Sequence, residues 1–240
     1  MRRPHQFDFK EFSITQSRSA MKICTDSCVF GALINPHKSR TILDIGTGTG
    51  LLSLMLAQRT SDDVLIDAID IDSEAILDAK ENTESSPWND RINVHHGDIC
   101  TWNAPRNYDL IICNPPFHVR STPSANPKEL AAHHADNTLP FISLIESISQ
   151  LSHKNTQTWI LLPIIEMKEF IEISIKYSLY LQECILIYHA SNEEAIRKIC
   201  CFSKQKQDAC IERTFAYRTH SNGSYTEEFI TAMSPYYLFL

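Results

Sequence analysis

A short tetrapeptide, Asn114-Pro115-Pro116-Phe117, ends an apolar run of the chain. Its two prolines remove two backbone donors and fix two φ angles, so neither a strand nor a helix continues through them. The Asn114 side-chain carbonyl and the Pro115 backbone carbonyl can together accept both N–H bonds of one planar amine. Such acceptors direct the nitrogen lone pair at an electrophile, and Phe117 adds a face for stacking. These residues indicate a site for an amino group on a flat molecule; a Pro-Pro loop stop is the alternative.

A glycine-rich turn lies earlier in the chain, in ILDIGTGTGLL (Ile42–Leu52). Glycines between a strand and a helix let the backbone approach a ligand closely. The dinucleotide fingerprint requires G-x-G-x-x-G, whereas Gly46, Gly48 and Gly50 are spaced two apart and Leu51 occupies the last fingerprint position. This spacing argues against NAD and leaves open another ligand or a purely structural turn.

Acidic side chains follow the next two apolar runs. Asp70 ends IDAID, where a carboxylate can accept both hydroxyls of a ribose, and Asp98 in HGDI can meet an adenine edge. Asp72, just before Ser73, is more simply explained as a carboxylate at a helix N-terminus. Ligands of open α/β sheets bind at the carboxyl ends of the strands. The glycine turn and the two acids therefore indicate one nucleoside-sized site, with Asn114 beside it.

The elements that must position these residues alternate between strands and helices from residue 41 onward. Strands are predicted at Thr41–Ile45, Val64–Ile69, Ile92–His95, Leu110–Cys113 and Thr158–Leu162, and the last apolar runs are Tyr180–Tyr188 and Ile199–Ser203. Helices are predicted at Gly50–Gln58, Ser73–Glu84, Leu139–Leu151 and Glu166–Ser174, and an exposed loop at Ser121–Asn137. This alternation is typical of an α/β protein with a parallel sheet covered by helices on both faces. Residues 1–40 lie outside the pattern and are predicted to form an added N-terminal element.

Composition narrows the class of protein. The chain has 240 residues and a net charge of −7, yet residues 1–22 carry five basic and two acidic side chains, a local +3. Such a patch suits a polyanion, although a solvated tail without a partner is the alternative. The eight cysteines lack C-x-x-C spacing and are expected to be reduced thiols, without metal. We expect a cytoplasmic protein, because no apolar run approaches the ~20 residues of a membrane span and no signal peptide is evident.

The motifs together resemble a known family. DIGTGTG, Asp70, Asp98 and NPPF, in this order, resemble the class I S-adenosylmethionine-dependent methyltransferases that modify amino groups. FDFKEFSITQSRSAMKICTDSCVFGAL (Phe7–Leu33) and the closing YTEEFITAMSPYYLFL resemble the bacterial tRNA adenine-N6 methyltransferases that act beside the anticodon of a valine tRNA. The chain departs from that family at Ser27, where glycine is usual, and at His133-His134, where an Arg-His pair is often found.

The resemblance implies a Rossmann-like fold with a mostly parallel, seven-stranded sheet. It implies a methyltransferase domain over residues 41–240, preceded by a substrate-recognising, cofactor-covering extension over residues 1–40. Its cofactor would be S-adenosylmethionine, and its partner a tRNA bound by a monomer. The implied cofactor-binding residues are Lys22, Thr25, Asp44, Gly46, Gly48, Asp70, Asp98 and Asn114. The target adenine would lie on Asn114, Pro115, Pro116 and Phe117, and the RNA on Arg2, Arg3, Lys10, Arg18, Asp26, His133 and His134.

Other readings of the same residues stay open. NPPFH also resembles the guanine-N2 methyltransferases of ribosomal RNA, and a protein amide is a further amine target. A non-catalytic module that binds S-adenosylmethionine or RNA is the alternative from a different class. Because residues 1–18 lie outside the strand–helix pattern, we expect their deletion to weaken RNA binding and to spare cofactor binding.

Overall fold

One sheet of eight strands organises the computed structural model, which describes residues 5–36, 38–116 and 140–240. In chain order its strands are β3 (Thr41–Ile45), β4 (Leu65–Asp70), β5 (Ile92–His96), β6 (Tyr108–Cys113), β7 (Ser152–Pro163), β8 (Tyr180–Ala190), β9 (Ala195–Ser203) and β10 (Ile211–Arg218). A separate antiparallel hairpin is formed by β1 (Gln6–Asp8) and β2 (Ser13–Thr15). The order across the large sheet is β10-β8-β9-β7-β6-β3-β4-β5, and β9 alone runs antiparallel to both of its neighbours. The other seven strands run in the same direction, so their carboxyl ends lie along one edge of the sheet, which we call the carboxyl edge.

Helices cover both faces of this sheet. They are α1 (Thr25–Leu33), α2 (Leu51–Ala57), α3 (Ser73–Glu84), α4 (Phe141–Leu151), α5 (Ile164–Ser174) and α6 (Glu227–Met233). The first, second and sixth helices pack with Ile42 and Ile112 in one core, and the fourth and fifth pack with Leu43 and Ile111 in another. Since successive strand residues point to opposite faces, both faces require apolar side chains, which explains the continuous apolar runs in the sequence.

The sequence-based prediction of an α/β fold with helices on both faces is confirmed, but the predicted number of seven strands is wrong. The eighth strand, β10, pairs in parallel with β8 outside the expected seven. The first four residues of its sequence, IERTFAYR, are exposed, so no apolar run in the sequence indicates a strand there. Two helices, α1 and α6, were likewise not predicted from the sequence. The predicted loop at Ser121–Asn137 lies outside the described residues.

The N-terminal segment packs onto the same core as the sheet. Phe9, Phe12 and Ile14 are buried in the cluster that contains α2 and α6. The backbone N–H of Lys10 donates to the Tyr236 carbonyl (2.8 Å), which ties this segment to the end of the chain. The aromatic and aliphatic side chains of this segment therefore complete the core, whereas the charged side chains of Lys10 and Arg18 are exposed, as expected. A domain boundary at residue 40 stays a prediction.

Two further observations concern composition. All eight cysteines carry free thiols, and five of them are buried. Among the described residues, no helix has both the length and the apolar character needed to cross a bilayer.

Candidate active site

The features predicted to bind a ligand lie side by side at the carboxyl edge. Ile45, the last residue of β3, is paired with Ile69 of β4 on one side and with Cys113 of β6 on the other. Asp70 of β4 is paired in turn with His96 of β5. The order along the edge is therefore Asp98, Asp70, the glycine turn and Asn114. Register in the parallel sheet brings together residues that lie far apart in the sequence.

The glycine turn has a backbone that only glycine adopts readily. Gly46, Gly48 and Gly50 have φ angles of 69°, 57° and 81°, all in the left-handed region. A Cβ atom on Gly50 would lie 3.6 Å from Ala79 of α3, whereas one on Gly46 or Gly48 would meet no described atom within 4 Å. Gly50 therefore packs against the protein, and the other two glycines face open space that a ligand can enter.

Asp44 lies buried below this turn. Its Oδ2 atom accepts hydrogen bonds from Thr47 Oγ1 and Ser53 Oγ, both at 2.7 Å. Its Oδ1 atom is equally buried and has no hydrogen-bond partner in the described part of the chain. Burial raises the pKa of Asp44 to about 6; the negative charge of Asp70 adds to the rise, and the two hydroxyls oppose it. An unpaired buried acceptor of this kind suits a cationic donor on a ligand.

Asp70 closes the turn from the neighbouring strand. Its Oδ2 atom accepts from the Gly48 N–H (2.8 Å), and its Oδ1 atom accepts from the Asp72 N–H (2.9 Å). Each carboxylate oxygen retains capacity for a further donor such as a ribose hydroxyl. Asp72 itself accepts from the Glu74 N–H at the start of α3, which confirms its interpretation as a helix N-terminal carboxylate.

Two residues flank the region where an adenine edge was expected. Asp98 Oδ1 accepts from the Cys100 N–H (2.9 Å), so this carboxylate orders the turn after β5. Ile71 follows Asp70 and is 62% exposed at the carboxyl edge, where its side chain offers an apolar surface to a flat ring. Sequence analysis missed Ile71, although an isoleucine placed directly after the acid that ends β4 was the available signal.

Asn114 follows the last residue of β6. Its Oδ1 atom is buried and has no hydrogen-bond partner among residues 5–36, 38–116 and 140–240. Pro115 is buried and Pro116 is exposed. A buried carbonyl without a donor is rare in folded proteins and is typically satisfied by a ligand, an ion or water. Phe117 lies outside the described residues, as do Arg2, Arg3, His133 and His134.

The remaining predicted basic residues hold the N-terminal segment in place. Lys10 Nζ donates to the Ser234 carbonyl (2.6 Å), and Lys22 Nζ donates to the Gln16 carbonyl (2.6 Å). Arg18 Nη1 lies 2.9 Å from Glu81 and from Asp78 on α3, and these carboxylates raise the pKa of Arg18. These contacts hold the three side chains against neighbouring parts of the protein. The part of Lys10 and Arg18 in RNA binding and that of Lys22 in cofactor binding stay predictions.

Thr25 and Asp26 begin helix α1 near the far end of the carboxyl edge. Asp26 Oδ1 accepts from Tyr217 Oη (2.8 Å), and Asp26 Oδ2 lies 3.3 Å from Arg197 Nε. Burial raises the pKa of Tyr217, and the charge of Asp26 reinforces this rise. Arg197 and Tyr217 escaped sequence analysis because only the tertiary structure brings them to Asp26.

Comparisons with known proteins place the chain in a family. A family model described as "Methyltransferase small domain" matches residues 19–140. The tRNA1(Val) (adenine(37)-N6)-methyltransferase of Flavobacterium psychrophilum is 37% identical over 236 residues, which cover 97% of this chain and 99% of that protein. The protein of the same name from Tolumonas auensis is 38% identical over 98% of this chain and 97% of its own length. The chain belongs to the tRNA1(Val) (adenine(37)-N6)-methyltransferase family.

Solved structures agree with this family on the fold. A predicted O-methyltransferase from Agrobacterium tumefaciens superimposes with a TM-score of 0.66 at 16% identity, over 88% of this chain and 96% of that one. A TehB-like SAM-dependent methyltransferase from Corynebacterium glutamicum superimposes with a TM-score of 0.51 at 15% identity, over 78% of this chain and 91% of that one. The fold is that of the class I methyltransferases, as the sequence motifs predicted.

Membership in the tRNA1(Val) (adenine(37)-N6)-methyltransferase family confirms the resemblance drawn from the glycine turn, NPPF and the two terminal segments. The family model begins at residue 19, so it includes α1 and part of the N-terminal segment. The role of each individual site residue stays a prediction.

Proposed function

We propose that this protein transfers a methyl group from S-adenosylmethionine to the exocyclic N6 of adenosine 37 in tRNA1(Val), the target named for its relatives. One structural observation carries the proposal: the buried Asn114 Oδ1 atom lacks a donor at the carboxyl edge, beside the glycine turn. A target amine would supply that donor. A module that only binds a cofactor has no use for this acceptor.

The described residues fit S-adenosylmethionine at three points. Gly46 and Gly48 leave open space above the turn. The unpaired Asp44 Oδ1 atom can accept from the ammonium group of the methionine part. Asp70 can accept from the ribose hydroxyls, and Ile71 can pack on the adenine. When bound, the cofactor supplies a methyl carbon made electrophilic by its sulfonium.

The NPPF segment can activate the amine without a strong base. The N6 lone pair of adenine is delocalised into its ring, so the free amine is a weak nucleophile. Asn114 Oδ1 and the Pro115 carbonyl would accept the two N6–H bonds and hold the lone pair toward the methyl carbon. With the amine held in this way, transfer would form the N–C bond and break the S–C bond, S-adenosylhomocysteine would leave, and the amine would lose one proton to water.

The N-terminal segment is proposed to cover the cofactor, as the sequence predicted for residues 1–40. Asn82 of α3 supports this role because it joins the segment to the glycine turn. Its Nδ2 atom donates to the Thr15 carbonyl (2.8 Å) and to the Thr49 carbonyl (2.9 Å), and its Oδ1 atom accepts from the Thr15 N–H (2.7 Å). An adenosine in an anticodon loop is single-stranded, so its insertion beside this segment requires little unpairing.

The test is methylation of unmodified transcripts followed by mass spectrometry of the nucleosides. The expected product is N6-methyladenosine at position 37 of tRNA1(Val), and a transcript with guanosine at that position should remain unmethylated. Parallel reactions with ribosomal RNA and total protein examine the guanine-N2 and amide alternatives. Methyl transfer to either of those, or cofactor binding without any transfer, would replace this proposal.

A further inference from the structure

A cavity of about 320 Å³ opens at the carboxyl edge, where β8 and β10 end. We call it the edge cavity; its lining includes His189, Glu193, Tyr217, Arg218, Ser221 and Tyr225. This volume is at the low end of the roughly 300–1,000 Å³ that small-molecule sites occupy. The edge cavity can therefore hold one flat group and excludes a duplex.

Aromatic rings form much of its wall and are fixed by the core behind them. The Tyr225 ring stacks on Phe229 with centroids 4.5 Å apart and an interplanar angle of 15°. The His189 ring meets the Tyr217 ring edge-on, with centroids 5.6 Å apart. His189 is exposed, so its ring remains accessible, whereas the Tyr225 ring is covered by Phe229 on one face and by the Arg218 guanidinium on the other and is exposed at its edge. The His189 ring therefore provides the stacking surface for a nucleobase, and Tyr225 holds Arg218 beside it.

Charged groups on the rim add recognition of a nucleotide. The Arg218 guanidinium lies 4.3 Å from the centroid of the Tyr225 ring, and its Nη1 atom donates to the Gly223 carbonyl (2.7 Å). Its other nitrogens are available for a phosphate. Glu193 accepts from the Ser221 hydroxyl (2.5 Å) and has capacity for the amino group of a base. The acidic Glu193 disfavours a second phosphate, so the rim suits one base and one phosphate.

The position of the edge cavity relative to Asn114 decides which nucleotide it fits. Strands β7 and β9 separate β6 from β8, and β10 lies one strand further. At about 4.8 Å per strand, the lateral separation between Asn114 and the edge cavity is roughly 14–19 Å. Cys113 is level with Cys184 of β8 and Glu212 of β10, so His189 and Arg218 also lie further along their strands than Asn114 does. Between them, the Asp26 contacts with Arg197 and Tyr217 join α1 to β9 and β10. The target base cannot occupy both places, whereas a single RNA strand can pass through them in turn.

We propose that the edge cavity binds a second nucleotide of the RNA substrate, a few positions from the methylated adenosine, with its base on the His189 ring, at the edge of Tyr225, and its phosphate on Arg218. This inference rests on the proposed function and adds a second contact that fixes the register of the RNA. A substrate that reaches only the amine site would lack this contact.

The test compares two fluorescent RNAs by equilibrium anisotropy, which requires no turnover. One is the complete anticodon stem-loop, and the other is a short oligonucleotide that ends at the neighbours of the target adenosine. His189→Ala removes one stacked base and Arg218→Gln removes one charged contact to phosphate, and each variant is expected to bind the stem-loop about tenfold more weakly. Their affinity for the short oligonucleotide should equal that of the wild type. The control is His153→Ala, at the start of β7 on the opposite edge of the sheet.

The outcomes separate this inference from the proposed function. If the wild type methylates tRNA and both variants bind the stem-loop with unchanged affinity, the edge cavity is not a nucleotide site. The methyltransferase assignment would not be affected by that result. Equal weakening for both RNAs would also overturn it, because the effect would then be general. Melting temperatures matched to the wild type identify the variants that fold normally, and His189→Ala replaces an exposed side chain. If the wild type methylates another RNA, the same comparison applies to that RNA.

Discussion

Asn114 is the residue that the proposed mechanism places against the target amine. Asn114→Ala is expected to reduce methyl transfer by about 10²–10³, as loss of one preorganised polar contact does, while S-adenosylmethionine affinity stays unchanged. Asn114→Asp is expected to retain part of the activity because a carboxylate still accepts an N–H bond. Single-turnover transfer to tRNA at saturating cofactor measures both variants.

The exposed Asn107 provides a matched control for this experiment, because it lies just before the other end of β6. Asn107→Ala should react at the wild-type rate. A wild-type rate for Asn114→Ala would mean that the tetrapeptide only ends the strand.

Asp70 orders the glycine turn and is also predicted to bind the cofactor ribose. Asp70→Ala is expected to weaken S-adenosylmethionine binding at least tenfold, because hydrogen bonds to a charged group contribute about 1.5–3 kcal/mol each. Part of this loss comes from the Gly48 N–H, which loses its acceptor. Titration calorimetry measures the affinity. Asp72→Ala is the control, since that carboxylate caps α3 and its loss should lower stability by about 1 kcal/mol without changing the affinity. Equal affinities for Asp70→Ala and the wild type would remove Asp70 from the cofactor site.

At the scale of elements, α3 connects the N-terminal hairpin to the glycine turn. Asn82→Ala removes all three Asn82 hydrogen bonds and leaves the Thr15 and Thr49 carbonyls without this donor. Each buried group left unpaired costs about 1–3 kcal/mol, so urea unfolding should show a lower free energy of unfolding. Cofactor affinity should fall as well, because the segment over the turn is released.

Thr83→Ala is the matched control on the same helix. Thr83 is also buried, but its hydroxyl donates only to carbonyls of α3 itself. This variant is expected to bind S-adenosylmethionine as the wild type does. A cofactor affinity in Asn82→Ala that matches Thr83→Ala would show that the N-terminal segment does not cover the site.

At the scale of the whole molecule, Asp44 links stability to pH. Its folded-state pKa of about 6 exceeds the ordinary value of an aspartate, about 3.9. Between these values the folded protein retains a proton that the unfolded chain has released. The Asp44 contribution is therefore greatest below pH of about 4 and is lost as the pH rises through about 6, with a slope of up to about 1.4 kcal/mol per pH unit.

Urea unfolding between pH 4.5 and 7 tests this linkage. Asp44→Asn should remove part of the loss of stability on going to pH 7, whereas Asp62→Asn, which removes an exposed carboxylate, should retain it. Cofactor binding by the wild type is expected to strengthen over the same interval, because an ionised Asp44 accepts an ammonium more strongly. Identical pH profiles for Asp44→Asn and the wild type would contradict this assignment.

The alternation of strands and helices and the polar residues at the strand ends could be predicted from the amino-acid sequence. Strands such as Leu110–Cys113 are buried on both faces and must read as apolar runs, and positive φ angles leave few alternatives to glycine at residues 46 and 48. Gly46, Asp70 and Asn114 were each predicted at the carboxyl end of a strand. Because parallel strands have these ends at one edge of the sheet, their proximity could also be predicted. The apolar runs and the glycines are local features, so a single amino-acid sequence is sufficient to recognise them.

The contacts between residues that are far apart in the sequence could not be predicted and are seen only in the folded protein. Half of strand β10 is exposed, and its position in the sheet depends on pairing with β8. Phe9 and Phe12 lie outside the strand–helix pattern, yet they are buried in the same core as α2. The Asp26 carboxylate accepts a hydrogen bond from Tyr217, which lies far away in the sequence and lines the edge cavity, and it also contacts Arg197. No periodic pattern in the sequence indicates these contacts, because they form between side chains that only folding brings together.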